Sequence, residues 1–272
     1  MESNIVNSDW LYQHLDDQSL ILLDASTASN VSGINVDTET KRIKHSRFFD
    51  LKKKFSKPNT RFPNMLPSID QFEVECQNLG INRNNQIIVY DNVGIYNSPR
   101  VWWMFKTMGH DNIKVLNGGL PDWIKSGYEI EEPEIKSHQK GDFVVQFNNQ
   151  RVKDFDFIMS NSKSGKELVF DARSIGRFNG TSPEPREGIN NGAISFSVNL
   201  PFQDVLENGK LKSKQELAHL FNSVVSKDDP LIFSCGSGLT ACIIHLAAAE
   251  VLENEMAVYD GSWTEWATKT QN

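Results

Sequence analysis

The chain has 272 residues, which is long enough for two ordinary domains that each bury a core. Its formal net charge of -7 argues against a nucleic-acid surface or a basic membrane anchor. No apolar run approaches the roughly 20 residues of a membrane-spanning helix, and the N-terminus has neither a signal nor a transit pattern. We therefore expect a cytoplasmic protein that binds neither nucleic acid nor membrane.

The cysteine content is low and odd: Cys76, Cys235 and Cys242. Such a set suits a reducing compartment and excludes a disulfide framework. No Cys or His pair has zinc-ligand spacing, so we expect no metal. Cys76 and Cys242 are interpreted as packed side chains, with a redox role for Cys242 left open.

The chain repeats itself once, because several short motifs of the first half recur in the same order in the second. Each pair consists of an apolar strand that ends in a polar turn, and a tryptophan follows the last pair at equal spacing. The pairs are residues 22–26 (LLDAS) and 169–173 (VFDAR), 87–91 (IIVYD) and 231–235 (LIFSC), 115–119 (VLNGG) and 258–262 (VYDGS), and Trp123 and Trp266. The sequence therefore predicts two copies of one domain.

Within each copy, short apolar strands alternate with amphipathic helical stretches, which is typical of a parallel α/β sheet flanked by helices. Residues 98–105 predict a helix with Pro99 in its first turn, and residues 216–221 and 240–246 predict helices of the second copy. Residues 131–140 are charged and interrupted by Pro133, as in a surface linker.

These patterns divide the chain into three parts. We expect a non-catalytic N-terminal domain over residues 1–132, a linker over 133–148 and a catalytic C-terminal domain over 149–272.

One loop of the second copy has the composition of a chemical site. An apolar strand runs into Cys235, two glycines follow within three residues, and a helix then begins (PLIFSCGSGLTA, residues 230–241). Gly236 and Gly238 let the loop curl with its N–H groups turned inward, and the helix adds the positive end of its dipole. Ser237 and Thr240 can donate further hydrogen bonds. The loop would stabilise a Cys235 thiolate, which makes this residue the candidate nucleophile.

The matching loop of the first copy, residues 91–96, has no cysteine and begins with Asp91. A tight turn between strand and helix would explain glycines alone, but not why only one copy carries a thiol. The comparison therefore favours catalysis at Cys235.

The segment CGSGLTA resembles the active-site loop of the rhodanese superfamily, in particular of its tandem-domain 3-mercaptopyruvate and thiosulfate sulfurtransferases. The resemblance extends along nearly the whole chain through further motifs. They are residues 65–68 (MLPS), 99–104 (PRVWWM), 116–119 (LNGG), 171–173 (DAR), 176–178 (GRF), 183–186 (PEPR), 198–202 (VNLPF) and 259–263 (YDGSW). It implies two tandem rhodanese-like domains, of which the C-terminal one is active.

The resemblance also implies a substrate. Thiosulfate-preferring members carry basic residues after the cysteine, whereas Gly236 and Ser237 here are neutral, as in enzymes that act on 3-mercaptopyruvate. Arg177 and Arg186 match the substrate-binding arginines of the family and suit a carboxylate beside a ketone. The loop residues that would bind substrate with them are Gly236, Ser237, Gly238, Leu239 and Thr240.

The implied reaction needs no metal or organic cofactor. The Cys235 thiolate takes the substrate sulfur as a persulfide and releases pyruvate, and an acceptor then removes the outer sulfur. A small thiol, cyanide or reduced thioredoxin would serve as acceptor.

One segment departs from the family pattern. Many relatives have His-Ile-Pro-Gly-Ala before Phe-Phe-Asp, and this chain has Arg42 where that histidine would stand. His45 lies three residues later and is either a surface residue or a replacement for proton transfer. Proton transfer through water is the alternative.

Three rival functions remain open to different degrees. A phosphatase loop would need a phosphate-binding arginine where this chain has Ala241, which disfavours that activity. A thiosulfate-selective enzyme is disfavoured by the neutral loop. A persulfide carrier or binding module without rapid turnover would keep Cys235, Arg177 and Arg186 and so has the same sequence signature.

Overall fold

The structure, a computed structural model, describes residues 2–28, 41–134 and 137–270. It contains two compact units, each assembled from more than one segment of the chain. The first unit consists of Met1–Pro58, Leu66–Asn148 and Asn208–Leu211, and the second of Asn59–Met65, Asn149–Glu207 and Lys212–Asn272.

The first unit contains a five-stranded parallel sheet with helices around it. Its strands are β1 (Ile5–Val6), β2 (Leu20–Asp24), β3 (Arg42–Ile43), β4 (Arg47–Phe48), β5 (Gln86–Tyr90), β6 (Ile113–Leu116) and β7 (Ile130–Glu131). Its helices are α1 (Ser8–His14), α2 (Ile69–Asn78), α3 (Ser98–Thr107) and α4 (Gly119–Lys125). The sheet order is β1-β6-β5-β2-β4, and β3 pairs with β7 in a separate antiparallel ladder. Strands β2 and β5 are apolar along most of their length because the helices cover both faces of the sheet.

The second unit repeats this architecture. Its strands are β8 (Val152–Lys153), β9 (Leu168–Asp171), β10 (Ser197–Asn199), β11 (Leu206–Glu207), β13 (Leu231–Ser234) and β14 (Met256–Tyr259), whereas β12 (Lys210–Leu211) belongs to the first unit. Its helices are α5 (Phe155–Ser164), α6 (Ile175–Phe178), α7 (Lys214–Asn222), α8 (Thr240–Ala249) and α9 (Ser262–Thr270). All neighbouring strands in its main sheet, of order β10-β9-β13-β14-β8, are parallel.

The two sheets have the same topology when they are compared strand by strand. Reversing the first order gives β4-β2-β5-β6-β1, so that β5 corresponds to β13 and β6 to β14. The predicted fold class, two tandem α/β domains each with a parallel sheet flanked by helices, is confirmed. The helices predicted at residues 98–105, 216–221 and 240–246 are also present, as α3, α7 and α8.

Local sequence explains where several helices begin. The Ser68 hydroxyl accepts a hydrogen bond from the Gln71 N–H and caps α2, and Ser213 forms a capping box with Glu216 at the start of α7. Pro99 lies in the first turn of α3, where its missing N–H costs no helical hydrogen bond.

The segment predicted as a linker, residues 133–148, is part of the first unit and packs in part against its other residues. Phe143 is buried, with its ring 5.9 Å from that of Phe72 and 5.7 Å from that of Phe105. Ile135 and Lys136 of this segment lie outside the described residues. The domain limits of 1–132, 133–148 and 149–272 stay a prediction.

A buried histidine in α8 makes folding stability depend on pH. The His245 ring stacks on Phe233 at 5.0 Å, and burial lowers the pKa of His245 to about 3. In the unfolded chain this histidine is protonated as the pH falls through about 6.5, whereas in the folded chain it stays neutral until a much lower pH. The free energy of unfolding therefore falls as the pH falls below about 6.5. We expect this residue to remove about 2 kcal/mol of the free energy of unfolding between pH 7.5 and 5.0.

Urea unfolding at the two pH values measures the effect. His245→Leu should lose that pH-dependent part, whereas His219→Leu, on the exposed side of α7, should keep it. An unchanged pH dependence in His245→Leu would contradict the prediction.

Candidate active site

Cys235 lies at the carboxyl end of the central strand of the second sheet, between β13 and α8. In an open parallel sheet this edge is where ligands bind. The residue is only 2% exposed, and its Sγ accepts a hydrogen bond from the Gly238 N–H at 3.1 Å. Gly238 has φ of 81°, a left-handed conformation that glycine adopts without strain, and this turn directs its N–H to the sulfur. The loop therefore presents a backbone donor to the candidate nucleophile, as its glycines predicted.

The loop carbonyls are hydrogen-bonded to the first turn of α9. The Trp263 N–H donates to the Cys235 oxygen at 2.9 Å, and the Thr264 N–H donates to the Gly236 oxygen at 3.0 Å. The Thr264 hydroxyl also donates to the Gly236 oxygen, at 2.6 Å. Ser262 Oγ accepts the Cys235 N–H at 3.2 Å. The backbone on either side of the thiol is therefore held by one helix start.

The equivalent loop of the first unit holds a carboxylate in a comparable nest of donors. The Asp91 side chain is buried and accepts hydrogen bonds from the N–H groups of Val93, Tyr96 and Ser98 and from the Ser98 hydroxyl. In both units this turn therefore directs N–H groups to the acidic side chain that it contains, which favours a negatively charged group there.

Ser237 is fixed by two donors from different parts of the second unit. Its Oγ accepts hydrogen bonds from Arg186 Nη2 and from Asn64 Nδ2, each at 3.1 Å. Asn64 also donates to the Ser237 carbonyl oxygen at 3.2 Å. Sequence reasoning missed Asn64, although it directly precedes the MLPS motif. Its left-handed φ of 60° also marks Asn64 as unusual, but only the structure shows that angle.

The two predicted arginines lie over Gly236. A Cβ atom placed on Gly236 would lie 2.8 Å from Arg177 Nη2 and 3.6 Å from Arg186 Nη1. The structure therefore brings both guanidinium groups to the loop that contains the cysteine, and glycine leaves the space that they occupy.

Arg177 is held by a buried network of charges. Glu184 accepts hydrogen bonds from Arg177 Nε at 3.1 Å and Nη2 at 2.6 Å, and its side chain is only 2% exposed. Arg173 Nη1 donates to the same carboxylate at 2.8 Å, and its other nitrogens bind Asp171. Burial opposes the charge of Arg173, but hydrogen bonds and the charges of Asp171 and Glu184 outweigh burial and raise the pKa of its guanidinium. This network explains why the DAR and PEPR motifs occur together.

The remaining loop residues lie where the helix begins. Leu239 and Thr240 are half-buried at the start of α8. Cys242 follows within α8, fully buried, and its Sγ donates to the Gly238 oxygen at 3.3 Å. Cys76 is buried in α2, where burial, with the charges of Glu75 and Glu73, raises the pKa of its thiol.

His45 and Arg42 belong to the first unit. His45 is half-exposed with φ of 66°, and its Nε2 lies 3.9 Å from an Asp16 carboxylate oxygen. Arg42 is buried and donates to Glu131 and to the Glu134 carbonyl oxygen, which gives it a packing role in β3. The role of His45 in proton transfer stays a prediction.

The described residues also bear on whether the chain could hold a metal ion or cross a membrane. Among residues 2–28, 41–134 and 137–270, no group of three or more His, Cys, Asp and Glu side chains is placed to hold a metal ion. In the same ranges, every helix is too short or too polar to cross a membrane.

Together, the repeated parallel sheet and the cysteine loop define a tandem α/β protein with a single thiol-bearing loop. The chain belongs to the rhodanese family: the profile of the Rhodanese-like domain matches residues 7–126 and 156–269. The 3-mercaptopyruvate sulfurtransferase of Escherichia coli K12 is 35% identical to it, over 97% of this chain and 95% of the relative. The 3-mercaptopyruvate sulfurtransferase of Mus musculus is 36% identical, over 98% and 93%.

Solved structures agree with this assignment. The crystal structure of SseA from Escherichia coli, described as a 3-mercaptopyruvate sulfotransferase with the rhodanese fold, has a TM-score of 0.85 and 31% identity and covers 96% of this chain and 99% of that one. The Tum1 protein of Saccharomyces cerevisiae has a TM-score of 0.87 and 28% identity over 99% of this chain and 97% of that one.

Proposed function

We propose that this protein is a 3-mercaptopyruvate sulfurtransferase that moves sulfur through a persulfide on Cys235. The observation that carries the proposal is the position of Arg177 and Arg186 over Gly236, directly beside the candidate nucleophile. A substrate with a carboxylate and a neighbouring ketone suits two forked donors at this distance from a thiolate. The names of the relatives at about 35% identity support the same activity.

In the first half-reaction the Cys235 thiolate attacks the sulfur of 3-mercaptopyruvate. The new S–S bond forms as the C–S bond breaks, and its electron pair leaves on the enolate of pyruvate, which takes up one proton. The Gly238 N–H stabilises the negative charge of the Cys235 thiolate before it attacks, and again when the second half-reaction releases that thiolate. Arg177 and Arg186 orient the carboxylate, and Ser237, held by Arg186 and Asn64, lies beside it.

The second half-reaction returns the enzyme to its starting state. A thiolate acceptor attacks the outer sulfur of the persulfide, forms a new S–S bond and releases the Cys235 thiolate. A small thiol and reduced thioredoxin are the thiol acceptors that we propose. Cyanide, the third acceptor, attacks the outer sulfur through its carbon, forms a C–S bond and leaves as thiocyanate while the Cys235 thiolate is released. No metal or organic cofactor takes part in either step, and Leu239 and Thr240 shape the loop.

The proton for the pyruvate enolate has two proposed sources. His45, named for this role from the sequence, is one, and water is the other. Neither source affects the assignment of Cys235.

A second candidate is thiosulfate sulfurtransferase activity. A thiosulfate sulfurtransferase of Rattus norvegicus is 35% identical to this chain, over 96% of its length and 91% of the relative. Against thiosulfate as the preferred donor, the neutral Gly236 and Ser237 add no positive charge for a dianion. We also retain a persulfide carrier, which would accept sulfur without rapid turnover, as a third reading.

We propose a reducing compartment, the cytoplasm, as the location. Cys76, Cys235 and Cys242 are all free thiols, and the proposed chemistry requires Cys235 to stay reduced between turnovers.

Steady-state turnover of 3-mercaptopyruvate and thiosulfate, measured side by side, tests the function. We expect kcat/KM for mercaptopyruvate to be at least about tenfold higher, a difference of about 1.4 kcal/mol. Cys235→Ser should lose pyruvate release, whereas Cys76→Ala, which also removes a buried thiol, should keep it. Preference for thiosulfate would overturn the donor assignment. A single turnover followed by arrest would favour the carrier.

A further inference from the structure

Ser262 at the start of α9 has a backbone conformation that is unfavourable for serine. Its φ is 50°, in the left-handed region, and its side chain is fully buried. The matching residue of the first unit is Gly119, with φ of 54°. Glycine takes this conformation without strain, whereas other residues are uncommon there. The second unit therefore tolerates strain at a place where the first unit has none.

The hydroxyl of Ser262 makes a contact that glycine cannot make. Its Oγ donates to the Tyr259 carbonyl oxygen at 2.9 Å and accepts the N–H of Cys235 at 3.2 Å. The strained residue thus links the end of β14 to the backbone of the nucleophile. Backbone strain that persists next to a reactive group is a reason to look for a functional role.

The next two residues of α9 also form hydrogen bonds with the backbone of the Cys235 loop. Trp263 and Thr264 donate their N–H groups to the oxygens of Cys235 and Gly236, and the Thr264 hydroxyl adds a second bond to the Gly236 oxygen. In a trans peptide the N–H points opposite to the C=O. The N–H groups of Gly236 and Ser237 therefore point away from α9.

We propose that Ser262 and Thr264 are positioning residues for sulfur transfer. They fix the orientation of the peptide groups around Cys235. The N–H groups of Gly236, Ser237 and Gly238, of which the last donates to the Cys235 sulfur, therefore keep one arrangement through both half-reactions. This proposal rests on the proposed function, and it concerns the rate of transfer rather than the binding of the donor, which is assigned to Arg177 and Arg186.

Four variants test the proposal. Ser262→Gly removes the hydroxyl and relieves the strain, so that the fold is retained while the contact to Cys235 is lost. Thr264→Val keeps the shape and the N–H but removes the hydroxyl, and Thr264→Ser restores it. Thr270→Val is the matched control, because its hydroxyl donates to the Trp266 carbonyl oxygen in the same helix and makes no contact of this kind with the loop.

We expect Ser262→Gly and Thr264→Val each to lower kcat for mercaptopyruvate by about tenfold to a hundredfold, at or below the loss on removal of a direct oxyanion donor. KM should stay within about threefold, since both arginines remain, and thermal unfolding should change little in Ser262→Gly. Thr264→Ser should recover most of kcat, and Thr270→Val should match the wild type.

Alkylation of Cys235 by iodoacetamide, followed by mass spectrometry of its peptide, is the second readout and needs no sulfur donor. We expect it to slow severalfold in Ser262→Gly and Thr264→Val. If the wild type fails to turn over mercaptopyruvate, the proposed function is wrong, and the alkylation rates alone judge the positioning role. Wild-type alkylation in folded Ser262→Gly, or a Thr264→Ser variant as slow as Thr264→Val, would overturn it.

Discussion

Arg173→Met is expected to lower the free energy of unfolding of the second unit by about 3–5 kcal/mol. Arg173 is fully buried, and its guanidinium contacts Asp171 at 2.6 Å and Glu184 at 2.8 Å. It also donates to the Gly192 carbonyl oxygen and stacks over Trp263. Methionine would fill much of the space but would leave both buried carboxylates without this partner, and an uncompensated buried charge is costly.

Urea unfolding followed by far-UV circular dichroism measures the loss, which corresponds to a fall in Tm of roughly 10 °C. Arg177→Met is the matched control, because Arg177 binds the same Glu184 carboxylate but its side chain is 21% exposed. We expect that variant to lose about 1 kcal/mol or less, since Glu184 keeps its buried partner Arg173 and Arg177 is itself partly exposed, yet to raise KM for mercaptopyruvate strongly. Equal losses of stability in the two variants would contradict the assignment of Arg173 as the buried anchor.

Both sheets and part of the candidate site could be predicted from the sequence. Strand patterns and the duplication predicted both sheets, because a buried parallel strand is apolar along its length and a repeat copies its landmarks in order. The Cys235 loop could also be predicted, because a thiol between a strand and two glycines is a local feature of the sequence. The family motifs placed Arg177 and Arg186, and the structure brings both to Gly236.

Contacts between distant segments could not be read in this way. Asn64 and Ser237 are 173 residues apart, and nothing in the composition around Asn64 indicates an amide directed at the loop. Ser262 belongs to the YDGSW motif, but the motif does not indicate its role, which depends on the sign of φ and on a hydrogen bond to a backbone N–H. The burial of Arg42 against Glu131 likewise depends on the pairing of β3 with β7, two segments that are far apart in the chain.

Gly236→Arg is expected to lower kcat/KM for mercaptopyruvate by about a thousandfold. Gly236 has no left-handed φ, so its backbone accepts a side chain, and the obstacle is the guanidinium of Arg177. A Cβ atom alone would lie 2.8 Å from Arg177 Nη2, and a third guanidinium would repel the two that are present. Displacing both arginines removes two charge-assisted hydrogen bonds, each worth about 1.5–3 kcal/mol, and every 1.36 kcal/mol is a factor of ten.

The measurement is steady-state kinetics with both donors, together with the Tm of each variant. Gly236→Ala introduces only the Cβ atom and should cost about tenfold, mostly in KM, because Arg177 can shift by a few tenths of an ångström. Folding stability should stay within about 1 kcal/mol in both variants, as the loop backbone is unchanged. Since added positive charge beside Cys235 favours a dianion, Gly236→Arg should lose less activity with thiosulfate than with mercaptopyruvate. Equal losses with both donors would mean that position 236 controls access to the thiol and not the choice of donor.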